Sequence, residues 1–212
     1  MADATRLRPF QPGDEPFLTD ICVRTAASGE DATGQLPDDS LWANIYALPY
    51  AARHPDLTFV VTDDRDEPIG YVLGTDDTDA FERWFAAEYW PAVAHRWPER
   101  GNAEDEVDLS AEQAKEARLV GIASGIGSHA SPHATRYPAH LHIDLLPQAQ
   151  GSGWGRKLID ALADALRERG VPGIHLGVGV NNANAIAFYQ HLGFVPLNDD
   201  STALGYDLTV AE

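Results

Sequence analysis

Two stretches of this chain hold residues whose types and spacing could do chemistry. Residues 145–160, LLPQAQGSGWGRKLID, put Gly151, Gly153 and Gly155 within five positions, between an apolar run and an amphipathic one. Glycine adopts positive φ and carries no Cβ to hold a ligand off the backbone. Free N–H groups at a helix start, backed by the positive end of its dipole, bind anions. Phosphate is therefore the first candidate. Just upstream, His140, His142 and Asp144 alternate in AHLHIDLL, so on a strand they point to one face. A histidine base suits neutral pH. A His-x-His metal site is the alternative, but no third ligand stands at a telling spacing.

Three phosphate loops compete for the glycines. A nucleotide-hydrolase loop needs Gly-Lys-Ser/Thr, and here Arg156, Lys157 and Leu158 follow Gly155. A dinucleotide fingerprint needs Gly-x-Gly-x-x-Gly and an acid about 20 residues on. The spacing here is Gly-x-Gly-x-Gly, and the next strand, GIHLGVGV, has no acid. The third pattern, Gln/Arg-x-x-Gly-x-Gly/Ala, is met in full by Gln150, Gly151, Ser152, Gly153, Trp154 and Gly155.

The elements that must position these residues follow from periodicity. TRLRPF reads as a short strand, and Phe17, Leu18, Ile21 and Cys22 fall at helical spacing after a Pro12–Gly13 turn. ASGEDATGQLPDD is a loop, and Ser40 is placed to cap a helix over LWANIYALPY. LTFVVTDD and PIGYVLGT form a hairpin across DRDE. Residues 77–118 read as a mostly helical, aromatic-rich insertion, with GNAEDEVD as a charged loop and Ser110 as a cap. AHLHIDLL is a strand, followed by a helix from about Trp154 to Arg169 with Leu158, Leu162, Ala165 and Leu166 on one stripe. GIHLGVGV, the helix NANAIAFYQHL and the strands FVPL and ALGYDLTV complete a mixed α/β sheet.

The 33 acidic and 15 basic residues give a formal charge of −18. That argues against a nucleic-acid footprint, which needs a basic face, and against docking on anionic membrane. Solubility explains the charge, and so does steering of a cationic substrate. Cys22 is the lone cysteine, and no run approaches the roughly 20 apolar residues of a membrane span. MADATRLRPF lacks the layout of a signal peptide. A cytoplasmic protein, one domain over residues 1–212, monomeric or homodimeric, is expected.

With its glycine loop complete, the chain resembles the GNAT superfamily of acetyl-CoA-dependent N-acetyltransferases over almost its whole length. LLP stands where that family has Val-x-Pro. NNANAIAFYQHLGF resembles a second family segment, carried by Asn182, Ala185, Tyr189, Gly193 and Phe194, about 30 residues after the loop. A narrower resemblance, in GEDATGQLPD, LPY and GYVLGT, is to the acetyltransferase-like C-terminal domain of O-GlcNAcases and its bacterial relatives. No glycoside-hydrolase domain fits beside it within 212 residues, so sugar removal is not expected.

The family resemblance implies acetyl-CoA as acyl donor and a primary amine, on a small molecule or peptide, attacking the thioester directly. It implies that backbone groups of Ile143, Leu145 and Leu146 pair with the pantetheine arm. The N–H groups from Gly151 to Arg156 would hold the pyrophosphate, with Gln150 and Asn182 beside them. A strand N–H near Leu145 would face the oxyanion. Tyr189 matches the family's general acid, although it also lies on the apolar stripe of its helix. Tyr137 and Tyr206 are rivals without a motif. His142 or Asp144 is the candidate base, and Glu30 and Asp31 are candidate anchors for a cationic acceptor. A domain that holds an acyl-CoA or a partner protein without turnover is the alternative, as is transfer of a larger acyl group.

Overall fold

The computed structural model describes residues 5–97, 109–179 and 182–209. The first half of the chain builds strand β1 (Arg6–Pro9), helices α1 (Glu15–Val23), α2 (Ser40–Tyr46) and α3 (Leu48–Arg53), and strands β2 (Thr58–Thr62) and β3 (Pro68–Thr75). The insertion supplies α4 (Thr78–Trp84), a π-helical turn over Phe85–Tyr89, α5 (Trp90–Val93) and α6 (Ala111–Gly125). Then come β4 (Ala139–Leu145), α7 (Trp154–Glu168), β5 (Gly173–Gly177), α8 (Ala183–His191), β6 (Val195–Pro196) and β7 (Ala203–Asp207). The strands form one mixed sheet in the order β1-β2-β3-β4-β5-β7-β6.

The sheet is covered on both faces. Helix α7 packs across β2 and β3, and α1 and α3 pack against β3 from the other side. Every residue of β3 is accordingly buried. Leu158, Leu162 and Leu166 of α7 are fully buried, as their stripe requires. Gly74 is needed there, because a Cβ on it would stand 2.7 Å from Leu162 Cδ1. No helix among the described residues is long and apolar enough to cross a membrane.

Several local expectations need correction. Ser40 is the first helical residue of α2 rather than its cap, and its hydroxyl is given to Asp38 at 2.5 Å. LWANIYALPY is two helices, because Ala47 leaves helical geometry just before Pro49. The insertion's last helix runs to Gly125, past residue 118, and starts with the expected cap: Ser110 and Gln113 form a full capping box. The π-helical turn sits just before Pro91, which has no N–H to give to the turn behind it. The strand over GIHLGVGV ends at Gly177, with its last residue outside those described, as is the loop GNAEDEVD.

Candidate active site

The pairing of β4 with β5 creates the site. These strands are parallel and touch only at Ala139–Ile174 and His140–His175. Beyond that point β4 stays on β3, in register from Thr75–His140 to Gly70–Leu145, and leaves β5 behind. The N–H of Leu146 donates to the Ile69 carbonyl, 2.9 Å away. Antiparallel ladders alternate, so Asp144, His142 and His140 also turn their backbone groups toward β3. Ile143 and Leu145 then turn theirs toward the opening. Leu146 does not: its donor is spent on Ile69 and its side chain is buried.

The opening is a cleft of about 480 Å³. Its walls are Leu141 to Leu145 of β4, Leu176 and Gly177 at the end of β5 with Val178 and Gly179 beyond it, Gln150 and Gly151 of the loop, Asn182 just before α8, and Ala185, Phe188 and Tyr189 on α8. Thr25 and Gly29 close the side facing α1. Asn182, one of the family-segment residues, caps α8, accepting from the Ala185 N–H at 3.1 Å. Gln150 is tied back, its side-chain amide donating a hydrogen bond to the Leu145 carbonyl at 2.8 Å. Thr25, Gly29, Asn184 and Phe188 had no motif to announce them.

The three loop glycines do different work. Gly151 and Gly153 have φ of +72° and +78°, with open space where a Cβ would stand. Their backbone is therefore accessible to a ligand, at the start of a fifteen-residue helix whose first N–H groups have no intrahelical acceptor. Gly155 is different: a Cβ there would come within 2.8 Å of Phe188 Cζ, so it lets α7 and α8 pack closely. Ser152 is exposed between the first two, and the Trp154 ring carries the Lys157 ammonium at 3.9 Å. Arg156 extends toward the His191 carbonyl, 3.5 Å away.

His140, His142 and Asp144 share one face, as their alternation required, and belong to two hydrogen-bond systems. Thr78 Oγ1 donates to the Pro138 carbonyl at 2.7 Å, so it accepts from His140 Nδ1–H at 2.8 Å. His140 Nε2 then accepts from the Tyr50 hydroxyl at 2.6 Å, and Tyr50 Oη accepts from His142 Nε2–H at 3.1 Å. Each hydroxyl has one proton, so the chain has one direction and leaves the lone pair of His142 on Nδ1. Burial keeps both imidazoles neutral, His140 well below its usual range and His142 at about 4.

Asp144 Oδ2 accepts from the Tyr71 hydroxyl at 2.6 Å. Burial lifts its carboxyl to about 6, partly offset by that bond. Tyr189 is 9% exposed and packs on Phe188 and Phe194. Burial, then the Asp144 charge, pushes its phenol well up, and its hydroxyl finds no hydrogen-bond partner among the described residues. Two groups that line the cleft, one from β4 and one from α8, are thus driven to opposite tasks, a carboxylate that accepts protons near neutrality and a phenol that keeps its own. Tyr137 is buried away from the cleft, and Tyr206 stacks on Phe194. Neither lines it.

Glu30 and Asp31 are exposed and stand next to Gly29 on the cleft edge without lining it. The Asp31 carboxylate accepts from the N–H and hydroxyl of Thr33, at 2.8 and 2.5 Å, which lowers its pKa.

This architecture has known counterparts. The model of the acetyltransferase (GNAT) family matches residues 79–194. The crystal structure of SsHAT superposes with a TM-score of 0.84 and 37% identity, covering 98% of this chain and 99% of that one. Mycothiol acetyltransferase from Jonesia denitrificans is 29% identical over 200 residues, 90% of this chain and 60% of that protein. The ribosomal protein bS18-alanine N-acetyltransferase of Escherichia coli is 48% identical over 54 residues, 26% of this chain and 36% of that protein. The matches therefore span less than two thirds of these curated relatives.

Proposed function

Because the chain belongs to the acetyltransferase (GNAT) family, we propose that it moves an acetyl group from acetyl-CoA to a primary amine by direct attack on the thioester. The observation that carries this reading is the parting of β4 from β5. It leaves the backbone groups of Ile143 and Leu145 facing a cleft that ends at Gly151 and Gly153. An extended amide-bearing arm finds strand-like partners there, and a pyrophosphate finds the α7 N-terminus from Gly151 to Arg156. No described side chain fills the space beside either glycine, so the residues present fit the donor.

The donor, when bound, supplies an activated acetyl carbon and a thiol leaving group. The protein supplies proton positions. Asp144, with a carboxyl near 6, takes a proton from the amine, directly or by way of water, and His142 Nδ1 offers a second lone pair close by. An N–H of Ile143 or Leu145 holds the carbonyl oxygen as it gains charge. Tyr189 keeps its proton at all ordinary pH and gives it to the departing sulfur.

The relatives named mycothiol acetyltransferase and ribosomal protein bS18-alanine N-acetyltransferase support an amine acceptor, on a small molecule or a peptide. We read residues 1–212 as one acetyltransferase unit, cytoplasmic, acting as monomer or homodimer. The stretches that resemble the O-GlcNAcase-associated domain fall on the loop before α2, the start of α3 and β3. Of these, Gly29 lines the cleft, and Tyr50 hydrogen-bonds to His140 and His142. Acetyl transfer is tested by following CoA release with acetyl-CoA and a broad amine panel. Acetyl-CoA binding without any release would make the chain a binding module instead. Faster turnover of a bulkier acyl-CoA would name a different donor.

A further inference from the structure

A second cavity, of about 310 Å³, lies on the insertion side of the sheet. It meets the cleft at Leu141, His142, Leu176 and Gly177, which line both. Those four residues flank the point where β4 and β5 part. A molecule in this cavity would thus reach the imidazole of His142 from the side opposite the glycine loop, without crossing the space that fits the donor. Its volume is at the small end of ligand sites, about 300–1,000 Å³.

The lining restricts what can enter. Four aromatic rings face it, Tyr46 and Tyr50 from α2 and α3 and Phe81 and Phe85 from the insertion, with Tyr50 stacked on Phe81 at 4.3 Å. Ile122 and Ile126 form the wall contributed by α6 and the residue just after it. Ile122 is 43% exposed, one of two large apolar side chains so exposed among the described residues. No described lysine or arginine lines the cavity, and its three imidazoles, His140, His142 and His175, are all held toward neutrality by burial. The one acid is Glu82, half-buried at the wall, with no ion pair to a described residue. Such a lining offers no described cation to balance a carboxylate or phosphate. It offers ring faces to a flat apolar group and both ring faces and a carboxylate to an ammonium.

Resting on the acetyltransferase reading above, we propose that this cavity seats the body of the acceptor, and that the acceptor is a primary amine carried on an aromatic or similarly flat apolar group without acidic substituents. Ring and amine then arrive together: the ring packs among Tyr46, Phe81 and Phe85, and the amine reaches His142 where the cavity joins the cleft.

The test compares 2-phenylethylamine, ethanolamine and phenylalanine as acceptors at one pH. The expected result is a kcat/KM for 2-phenylethylamine at least tenfold above that of ethanolamine, with phenylalanine no better than ethanolamine. Ile122→Glu, on an exposed helix position, should raise KM for 2-phenylethylamine tenfold or more and leave acetyl-CoA affinity by calorimetry unchanged. Calorimetric binding of 2-phenylethylamine itself, lost in Ile122→Glu, reads the cavity without turnover. Equal rates for the aromatic and polar amines, or an unchanged KM and affinity in Ile122→Glu, would overturn the assignment. Amine binding with no acetylation would instead sink the acetyltransferase reading and leave the cavity assignment standing.

Discussion

At the scale of single residues, the site rests on burial setting three groups against their ordinary chemistry. Asp144 is the most exposed to test. Its carboxyl titrates near 6 in the fold and near 3.8 when unfolded, so between those values the folded state holds a proton that the unfolded state lacks. Stability from this group is therefore present at low pH and lost as pH rises through about 6. Above that, the buried charge is a burden of about 1–3 kcal/mol. Asp144→Asn should then raise the melting temperature at pH 8 and change it little at pH 3. Its kcat/KM should drop and lose the limb that rises near pH 6. A variant less stable at pH 8, or one keeping that limb, would remove Asp144 from the base role. Tyr189→Phe should lower kcat by about 10²–10⁴-fold with acetyl-CoA affinity unchanged, since in the proposed reaction the hydroxyl meets a thiolate that forms only during turnover. Equal rates, with chemistry the slow step, would return Tyr189 to the core. The alternation of His140, His142 and Asp144 was legible because a strand has period two. The proton direction through Tyr50 was not, since Tyr50 lies 92 residues before His142 and only packing brings them together.

At the scale of elements, the glycine loop shows how a motif can place a helix start and still leave the work of its parts undistinguished. Its pattern located the α7 N-terminus, yet the letters do not distinguish a glycine that bares backbone from one that admits a neighbour. Gly151 and Gly153 carry the positive φ, and Gly155 clears Phe188, which lies 33 residues on. The two kinds should fail differently. Gly153→Ala puts a Cβ into open space but at φ +78°, a strain of about 1–3 kcal/mol. It should fold and bind acetyl-CoA at least tenfold more weakly, because the methyl stands where the ligand would approach. Gly155→Ala should lower the melting temperature more, because the α7–α8 contact must open. Calorimetry and thermal unfolding of the two variants check this, and equal effects on both would mean the loop acts as one packing unit. The insertion shows the reverse case. Its helical composition and the Ser110 cap were plain, whereas the wall it builds for the second cavity depends on where Phe81, Phe85 and Ile122 meet α2 and α3.

At the scale of the whole molecule, the charge of −18 would act in opposite senses on the two substrates of the proposed reaction. A protonated amine is drawn toward such a field, and a CoA thioester with its phosphates is repelled until it comes within reach of Arg156 and Lys157 at the first turn of α7. Raising ionic strength from about 0.01 to 0.15 M shortens the screening length from about 30 to 8 Å. Acetyl-CoA association should therefore quicken with salt, while kcat/KM for the amine falls severalfold. Glu30 and Asp31 offer the local handle on this field, beside Gly29 at the cleft edge. Asp31 already serves Thr33, so its neutralisation also loosens the loop. Glu30→Gln is the cleaner probe of charge. We expect Glu30→Gln with Asp31→Asn to raise the amine's KM about two- to fivefold at low salt, a modest effect because both carboxylates are exposed and screened. The difference should vanish near physiological salt, and acetyl-CoA affinity should not fall. Stopped-flow association and steady-state kinetics across that salt range measure both effects. If the amine's KM is flat with salt in the wild type and the double variant alike, the acidic surface serves solubility and the α1–α2 loop takes no part in capture.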